Sequence, residues 1–173
     1  KVVNEAALET NNHTQPRANV AFIEWPDPIY VGGHWTPQMI HLAGGAHPLN
    51  PSPDGGQGAG KSFPVSKEAF IESDPDIIVI SPCGLKLPES QREAALLQEQ
   101  EWSSNLRAFK EGNVWIVDGD AMFNRPGPRL VDALEWLFSI INDRPNSALD
   151  SFPSVRLPRQ RGSLPVGSSS TRR

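Results

Sequence analysis

The feature that most constrains the fold is residues 114–141, where an apolar run, a polar loop and an amphipathic stretch follow one another. The run 114–117 is β-branched and aromatic, which is typical of a buried strand. Pro126 and Pro128 suit the N-terminus of a helix, where a missing N–H costs little. Apolar residues then recur at helical spacing, namely Leu130, Val131, Leu134, Leu137, Phe138 and Ile141. A strand that feeds a helix in this way predicts an α/β fold.

Two further apolar runs, residues 20–25 and 76–80, predict strands, and the second is apolar enough to be buried on both faces. Short helices are predicted between the strands: 35–43, ended by two glycines, one capped by Ser66, then 89–98 and 102–109. This alternation favours a short parallel sheet of at least three strands, flanked by helices on both sides. The predicted fold class is therefore a three-layer α/β lobe.

Length and charge exclude several classes of protein. The 173 residues suit one domain with a stable core. A net charge of −4 without a basic stripe argues against a nucleic-acid partner. No apolar run has the length of a membrane span, so no membrane insertion is expected. The single cysteine, Cys83, cannot form an intramolecular disulfide. The start shows neither Met nor a signal-peptide pattern, so we expect a processed product or a fragment.

Proline and glycine concentrate in residues 44–64, which predicts a long, mobile excursion from the lobe. Residues 144–173 are rich in Ser, Pro and Arg and hold few large apolar side chains, so this tail is predicted to be disordered. Residues 1–17 are interpreted as the end of a helix followed by a polar link. The predicted lobe itself covers residues 18–143.

Residues 55–62 match the phosphate-binding pattern G-x-x-x-x-G-K-[ST] letter for letter. Such a loop works only when it follows a buried strand and opens a helix, whose N-terminus receives the phosphate. Here the preceding residues 46–54 contain three prolines, and Pro64 follows Ser62 closely. A nucleotide-binding loop is therefore the least favoured of the functional alternatives.

His34, His41 and His47 lie close in sequence, but no cysteine or acidic residue completes a compact ligand set. We expect no metal site, and His34 is better explained as a loop residue that faces a cleft. Cys83 follows the second strand without a visible base beside it, so an inert thiol is the default. No catalytic constellation is legible, and we expect neither an enzyme nor a cofactor.

Phe123, Asn124 and Arg125 follow the third strand, at the edge where open α/β sheets bind ligands. An aromatic ring, an amide and a guanidinium suit a polar, partly planar small molecule. The alternative is an ordinary connection with Arg125 solvated. Trp35 follows two glycines that let a bulky group approach the backbone, so it is a candidate for ligand contact. The alternative is that Trp35 packs in the core under the first helix.

Three segments together resemble the C-terminal lobe of cobalamin-type periplasmic binding proteins, of the helix-linked class that also carries siderophores and haem for ABC importers. They are residues 20–45, which include GGHW (32–35), residues 65–84, which end in SPCG (81–84), and residues 123–134, FNRPGPRLVDAL. The resemblance covers residues 18–143, and residues 1–8 would match the end of the linking helix. It implies a ligand held between two lobes, a transporter partner and a periplasmic or extracellular location. It also implies that one half of the cleft is lined by Gly33, His34, Trp35, Cys83, Gly84, Phe123, Asn124 and Arg125.

Three features depart from that family's pattern. They are the glycine-rich excursion, the tail, and Gln38, whose position is often acidic in such proteins. A missing N-terminal lobe or a second copy of the chain would have to complete the cleft. The leading interpretation is a non-catalytic solute-binding lobe for a cobalamin, haem or siderophore ligand. The alternative is a vestigial lobe that serves protein interaction or oligomerisation, with Trp35 and Phe123 as an apolar patch.

Overall fold

A computed structural model describes residues 17–52, 60–144 and 152–159. The predicted end of a linking helix, the middle of the glycine-rich excursion and most of the predicted tail lie outside these residues. Among the described helices, none combines the length and apolar character that crossing a membrane requires.

The described strands form one sheet in the order β3-β2-β1-β4-β5-β6. The three central strands, β1, β4 and β5, are parallel, whereas β2, β3 and β6 pair antiparallel with their neighbours. The central strands are those predicted from the apolar runs, but the sheet is mixed because three short strands extend it. The bounds are β1 Val20–Pro26, β2 Ile29–Val31, β3 Phe63–Pro64, β4 Ile77–Ile80, β5 Val114–Val117 and β6 Ser154–Arg156.

The helices differ from prediction mainly at residues 102–109. Leu106 has an extended backbone, with ψ of 143°, and divides this stretch into a 3₁₀ turn, Ser103–Asn105, and a short helix. The predicted Ser66 cap is present, since its Oγ accepts a hydrogen bond from Ala69 N at 3.1 Å. The helices are α1 Thr36–Leu42, α2 Lys67–Ser73, α3 Leu87–Gln98, α4 Arg107–Glu111, α5 Gly119–Met122 and α6 Arg129–Ile141.

Alternate residues of each central strand enter opposite cores, as strands buried on both faces require. On one face Phe22 and Val79 pack with side chains of α1 and α6, and on the other Ile23 and Ile78 pack with α2, α3 and α4. The three-layer α/β prediction is therefore confirmed.

The predicted disorder of the tail is wrong for residues 152–159. Phe152 is buried and stacks on Trp136, with ring centroids 4.8 Å apart, and β6 pairs with β5. One aromatic side chain and a strand-forming partner outweigh the polar composition of the surrounding chain. The predicted mobile excursion is likewise packed at both ends, where His47 and Asn50 are buried and 63–64 form β3.

Candidate functional site

Three loops meet at the carboxyl edge of the parallel strands β1, β4 and β5. Trp35 Nε1 donates a hydrogen bond to the Phe123 carbonyl oxygen at 2.9 Å, which joins the first loop to the third. Asn124 Nδ2 donates to the Pro82 carbonyl oxygen at 3.3 Å and joins the third loop to the second. The segments that were predicted to share this edge are thus connected by side-chain to backbone hydrogen bonds, at the place where open α/β sheets bind ligands.

Gly33 and His34 form a tight corner. A Cβ on Gly33 would lie 2.3 Å from Ser62 N, so only glycine fits there. Gly33 N donates to Ser62 Oγ at 3.1 Å, and His34 N donates to the Gly60 carbonyl oxygen at 2.9 Å. His34 has a left-handed backbone, with φ of 56°, and an exposed side chain. The backbone of this corner is therefore fixed, while the imidazole is presented to solvent.

Trp35 lies between the two placements considered for it, since it is neither fully buried nor fully exposed. Its side chain is partly buried and packs against the core beneath α1, while its N–H is used by Phe123. Its ring centroid lies 5.8 Å from that of His34. Because Trp35 is partly exposed and His34 is exposed, two neighbouring aromatic side chains lie at this edge.

Phe123 is placed differently from the prediction. Its side chain is 2 % exposed and makes edge-to-face contacts with Phe22 and Phe152, at centroid distances of 4.9 and 5.8 Å. The short helix α5 turns the chain after β5, so the ring enters the core and only the carbonyl oxygen serves the edge. We therefore leave the Phe123 ring out of the ligand-facing set.

Arg125 projects from the same loop, and its side chain retains 78 % of its accessible surface. Its guanidinium forms an ion pair with Asp120 at 2.8 Å. Asn124 beside it is partly buried and spends one N–H on the bond to Pro82. The loop thus offers a charged group that is already compensated by a neighbouring carboxylate.

Cys83 and Gly84 occupy the exposed turn after β4, where Gly84 adopts φ of 74°. Partial burial raises the pKa of the Cys83 thiol, and the Glu24 carboxylate raises it further. A thiol with a raised pKa stays protonated near neutral pH, which makes it a poor nucleophile. In the part of the chain that the structure describes, no group of three or more His, Cys, Asp or Glu side chains could hold a metal ion.

The end of the phosphate-loop-like motif lies at this edge as well. Ser62 leads directly into the short strand β3, so residues 60–62, the last three of the motif, do not open a helix. Its hydroxyl oxygen accepts the hydrogen bond from Gly33. The described part of the motif therefore lacks the helix N-terminus that gives such loops their affinity for phosphate. Residues 53–59 lie outside the described residues.

Sequence reasoning missed the supporting role of Asn50. Its Nδ2 donates to the carbonyl oxygens of Gly32, at 2.9 Å, and Lys61, at 3.4 Å, and it is 6 % exposed. It thereby ties the first loop to residues 60–62. Neither spacing nor composition distinguishes Asn50 from an ordinary turn residue, because its partners are distant backbone groups.

Neither a family model nor a curated protein matches this sequence. Solved structures do match the fold. The TroA-like periplasmic binding protein FepB from Veillonella parvula is 15% identical with a TM-score of 0.62, over 90% of this chain and 53% of its own. A periplasmic haem-binding protein from Pseudomonas aeruginosa gives 22% identity and a TM-score of 0.60, over 91% and 52%. The vitamin B12-binding protein BtuF of Vibrio cholerae gives 20% and 0.56, over 82% and 50%.

These likenesses establish the fold, which is that of about one half of a TroA-like periplasmic binding protein. The chain spans about half the length of the solved proteins that it matches. The resemblance stated from the sequence is therefore confirmed at the level of the fold.

Proposed function

We propose that this chain is one lobe of a non-catalytic solute-binding protein, whose ligand is a haem, cobalamin or siderophore molecule destined for an ABC importer. The observation that carries the proposal is the convergence of three loops at the carboxyl edge of the sheet, joined through Trp35 and Asn124. The solved proteins with this fold, whose names state haem or vitamin B12 binding, support the ligand class.

The proposed ligand-facing residues are the exposed or partly exposed members of the predicted set. His34 and Trp35 provide an aromatic surface for a flat ring, and Arg125 provides a donor for amide, carboxylate or phosphate oxygens. The Cys83-Gly84 turn and Asn124 complete the edge. Because good small-molecule sites bury about 70–90% of the ligand surface, the other half of this cleft would come from a second lobe or a second copy of the chain.

The interaction-module alternative loses support because one half of its predicted apolar patch, the Phe123 ring, is buried. It makes a different prediction from ligand binding. A lobe that serves oligomerisation should form the same oligomer by light scattering whether or not a ligand is added, whereas the proposed function predicts a ligand-dependent change or a monomer.

The direct test is a titration of the whole chain with haem, cyanocobalamin and a ferric siderophore, followed by calorimetry and by the absorbance of the ligand. We expect at least one ligand to bind more tightly than about millimolar, and Arg125→Ala to weaken it by roughly fivefold, about 1 kcal/mol. Arg92→Ala is the matched control, because Arg92 is 74% exposed and also pairs with one carboxylate. Binding that is weaker than millimolar for all three ligands would overturn the proposal.

A further inference from the structure

We infer that Lys61 receives an anionic group of the bound ligand, and that the ligand is therefore a carboxylate-bearing tetrapyrrole such as haem. The inference rests on the proposed function and specifies its ligand. It follows from the position of the segment Gly60-Lys61-Ser62, which the predicted site did not include.

This segment forms a wall of the candidate site. Gly60 and Ser62 accept hydrogen bonds from the backbone N–H groups of His34 and Gly33, at 2.9 and 3.1 Å. The approach is so close that Gly33 has no room for a Cβ. Lys61 thus lies between two residues that touch the corner from which His34 and Trp35 are presented.

The backbone of Lys61 is held, whereas its side chain is available. Its carbonyl oxygen accepts a hydrogen bond from Asn50 Nδ2 at 3.4 Å, and the residue is exposed. Among the described residues, the ion pairs involve only arginines, and no carboxylate pairs with the Lys61 ammonium. Arg125, by contrast, is already paired with Asp120.

Whether each of these two cations already has a carboxylate partner bears on which ligand suits the site. A ligand carboxylate at Arg125 has to compete with Asp120, while one at Lys61 gains an uncompensated ammonium. His34 and Trp35, whose ring centroids are 5.8 Å apart, leave the corner that Gly60 and Ser62 contact on either side of Lys61. A flat ring that carries anionic side groups matches an aromatic pair and a cation on neighbouring segments. Haem has two propionate carboxylates, whereas the side chains of cobalamin are mainly neutral amides and would leave the ammonium unpaired.

The test compares haem, haem dimethyl ester and cyanocobalamin in one mixture of buffer and dimethyl sulfoxide, with the wild-type chain, Lys61→Gln and Lys110→Gln. Lys110 is the control, because it is an exposed lysine on α4, which leads into the amino end of β5. We expect Lys61→Gln to weaken haem binding about tenfold and to leave the ester unchanged, while Lys110→Gln behaves as wild type.

The outcomes separate this inference from the proposed function. Haem that binds equally to wild type and Lys61→Gln, or a wild type that does not distinguish haem from its ester, refutes the role of Lys61. Binding of cobalamin or of the ferric siderophore without binding of haem leaves the solute-binding function standing and refutes the ligand assignment. If none of the three ligands and no ferric siderophore binds, both the inference and the proposed function are wrong.

Discussion

The two edges of the sheet treat their charged groups differently. At the amino edge, Arg107 pairs with Asp74 and with Asp76, and the second oxygen of Asp76 accepts a hydrogen bond from Asn19 N at 2.8 Å. At the carboxyl edge, neutral hydrogen bonds join the loops to one another, and the Arg125–Asp120 ion pair stays within the segment that follows β5. Lys61 has no carboxylate partner among the described residues. The amino edge uses its charges to hold strands and helices together, whereas the carboxyl edge leaves polar and aromatic groups available.

This difference indicates where stability and function lie. Substitutions at the amino edge should reduce the free energy of unfolding and leave ligand binding intact. Substitutions of exposed residues at the carboxyl edge should weaken ligand binding and leave the free energy of unfolding nearly unchanged. Two segments bridge the edges, residues 152–159 and residues 46–50, so changes in them should affect both properties.

The largest effect is expected for Phe152→Ala. Phe152 is 5 % exposed, stacks on Trp136 and contacts the Phe123 ring, whose carbonyl oxygen holds Trp35. Removing it should lower the free energy of unfolding in urea by about 3–5 kcal/mol, as large-to-small changes in cores do. Phe63→Ala is the control, because Phe63 is 40% exposed and should cost less than about 1 kcal/mol. Equal losses in the two variants would show that residues 152–159 do not support the carboxyl edge.

The same segment shows where sequence-based prediction stops. The central strands were predictable because their apolar runs are buried on both faces whatever their neighbours are. The strands Ile29–Val31, Phe63–Pro64 and Ser154–Arg156 have two or three residues each, and they depend on pairing with a strand that is distant or already formed. Short edge strands of this kind carry almost no signal of their own.

The candidate site was predictable in position but not in detail. The carboxyl ends of the parallel strands β4 and β5 place the second and third loops at one edge. The first loop follows β2, a short antiparallel strand that was not predicted. The direction of the Phe123 ring was not predictable from the residue type, because it depends on α5, whose start is fixed when Asp118 Oδ1 accepts a hydrogen bond from Ala121 N at 2.8 Å. The role of Lys61 depends on the fold of a proline-rich segment that has no local pattern.

The second expected effect concerns His47, in the other segment that bridges the edges. Ala46 pairs with Asn19 at the amino edge, and Asn50 holds Gly32 at the carboxyl edge. Burial lowers the pKa of His47 to about 4, while a backbone contact with Phe22, short of a well-formed hydrogen bond, acts in the opposite direction. The folded state therefore favours the neutral imidazole.

It follows that the contribution of His47 to stability is present above pH 6.5 and is lost as the pH falls from 6.5 to about 4. The loss should total about 3 kcal/mol, because a tenfold change in a protonation equilibrium corresponds to about 1.4 kcal/mol. Urea unfolding at several pH values in this window measures it. His47→Met should flatten the profile, because it removes the buried imidazole. A profile that keeps its slope in His47→Met would assign the acid sensitivity to other groups.

The smallest expected effect is the most direct comparison of the two edges, Arg107→Ala against Arg125→Ala. Arg107 joins two carboxylates and is about half exposed, so its loss should cost about 1–2 kcal/mol and less at high salt. Arg125 is far more exposed and has one partner, so its loss should cost less than about 0.5 kcal/mol. Ligand affinity should rank the variants the other way, with Arg107→Ala binding as wild type and Arg125→Ala binding more weakly. If both variants lose stability and affinity in the same proportion, the assignment of stability to the amino edge and of ligand binding to the carboxyl edge is wrong. Arg125 would then affect ligand binding only through the stability of the fold.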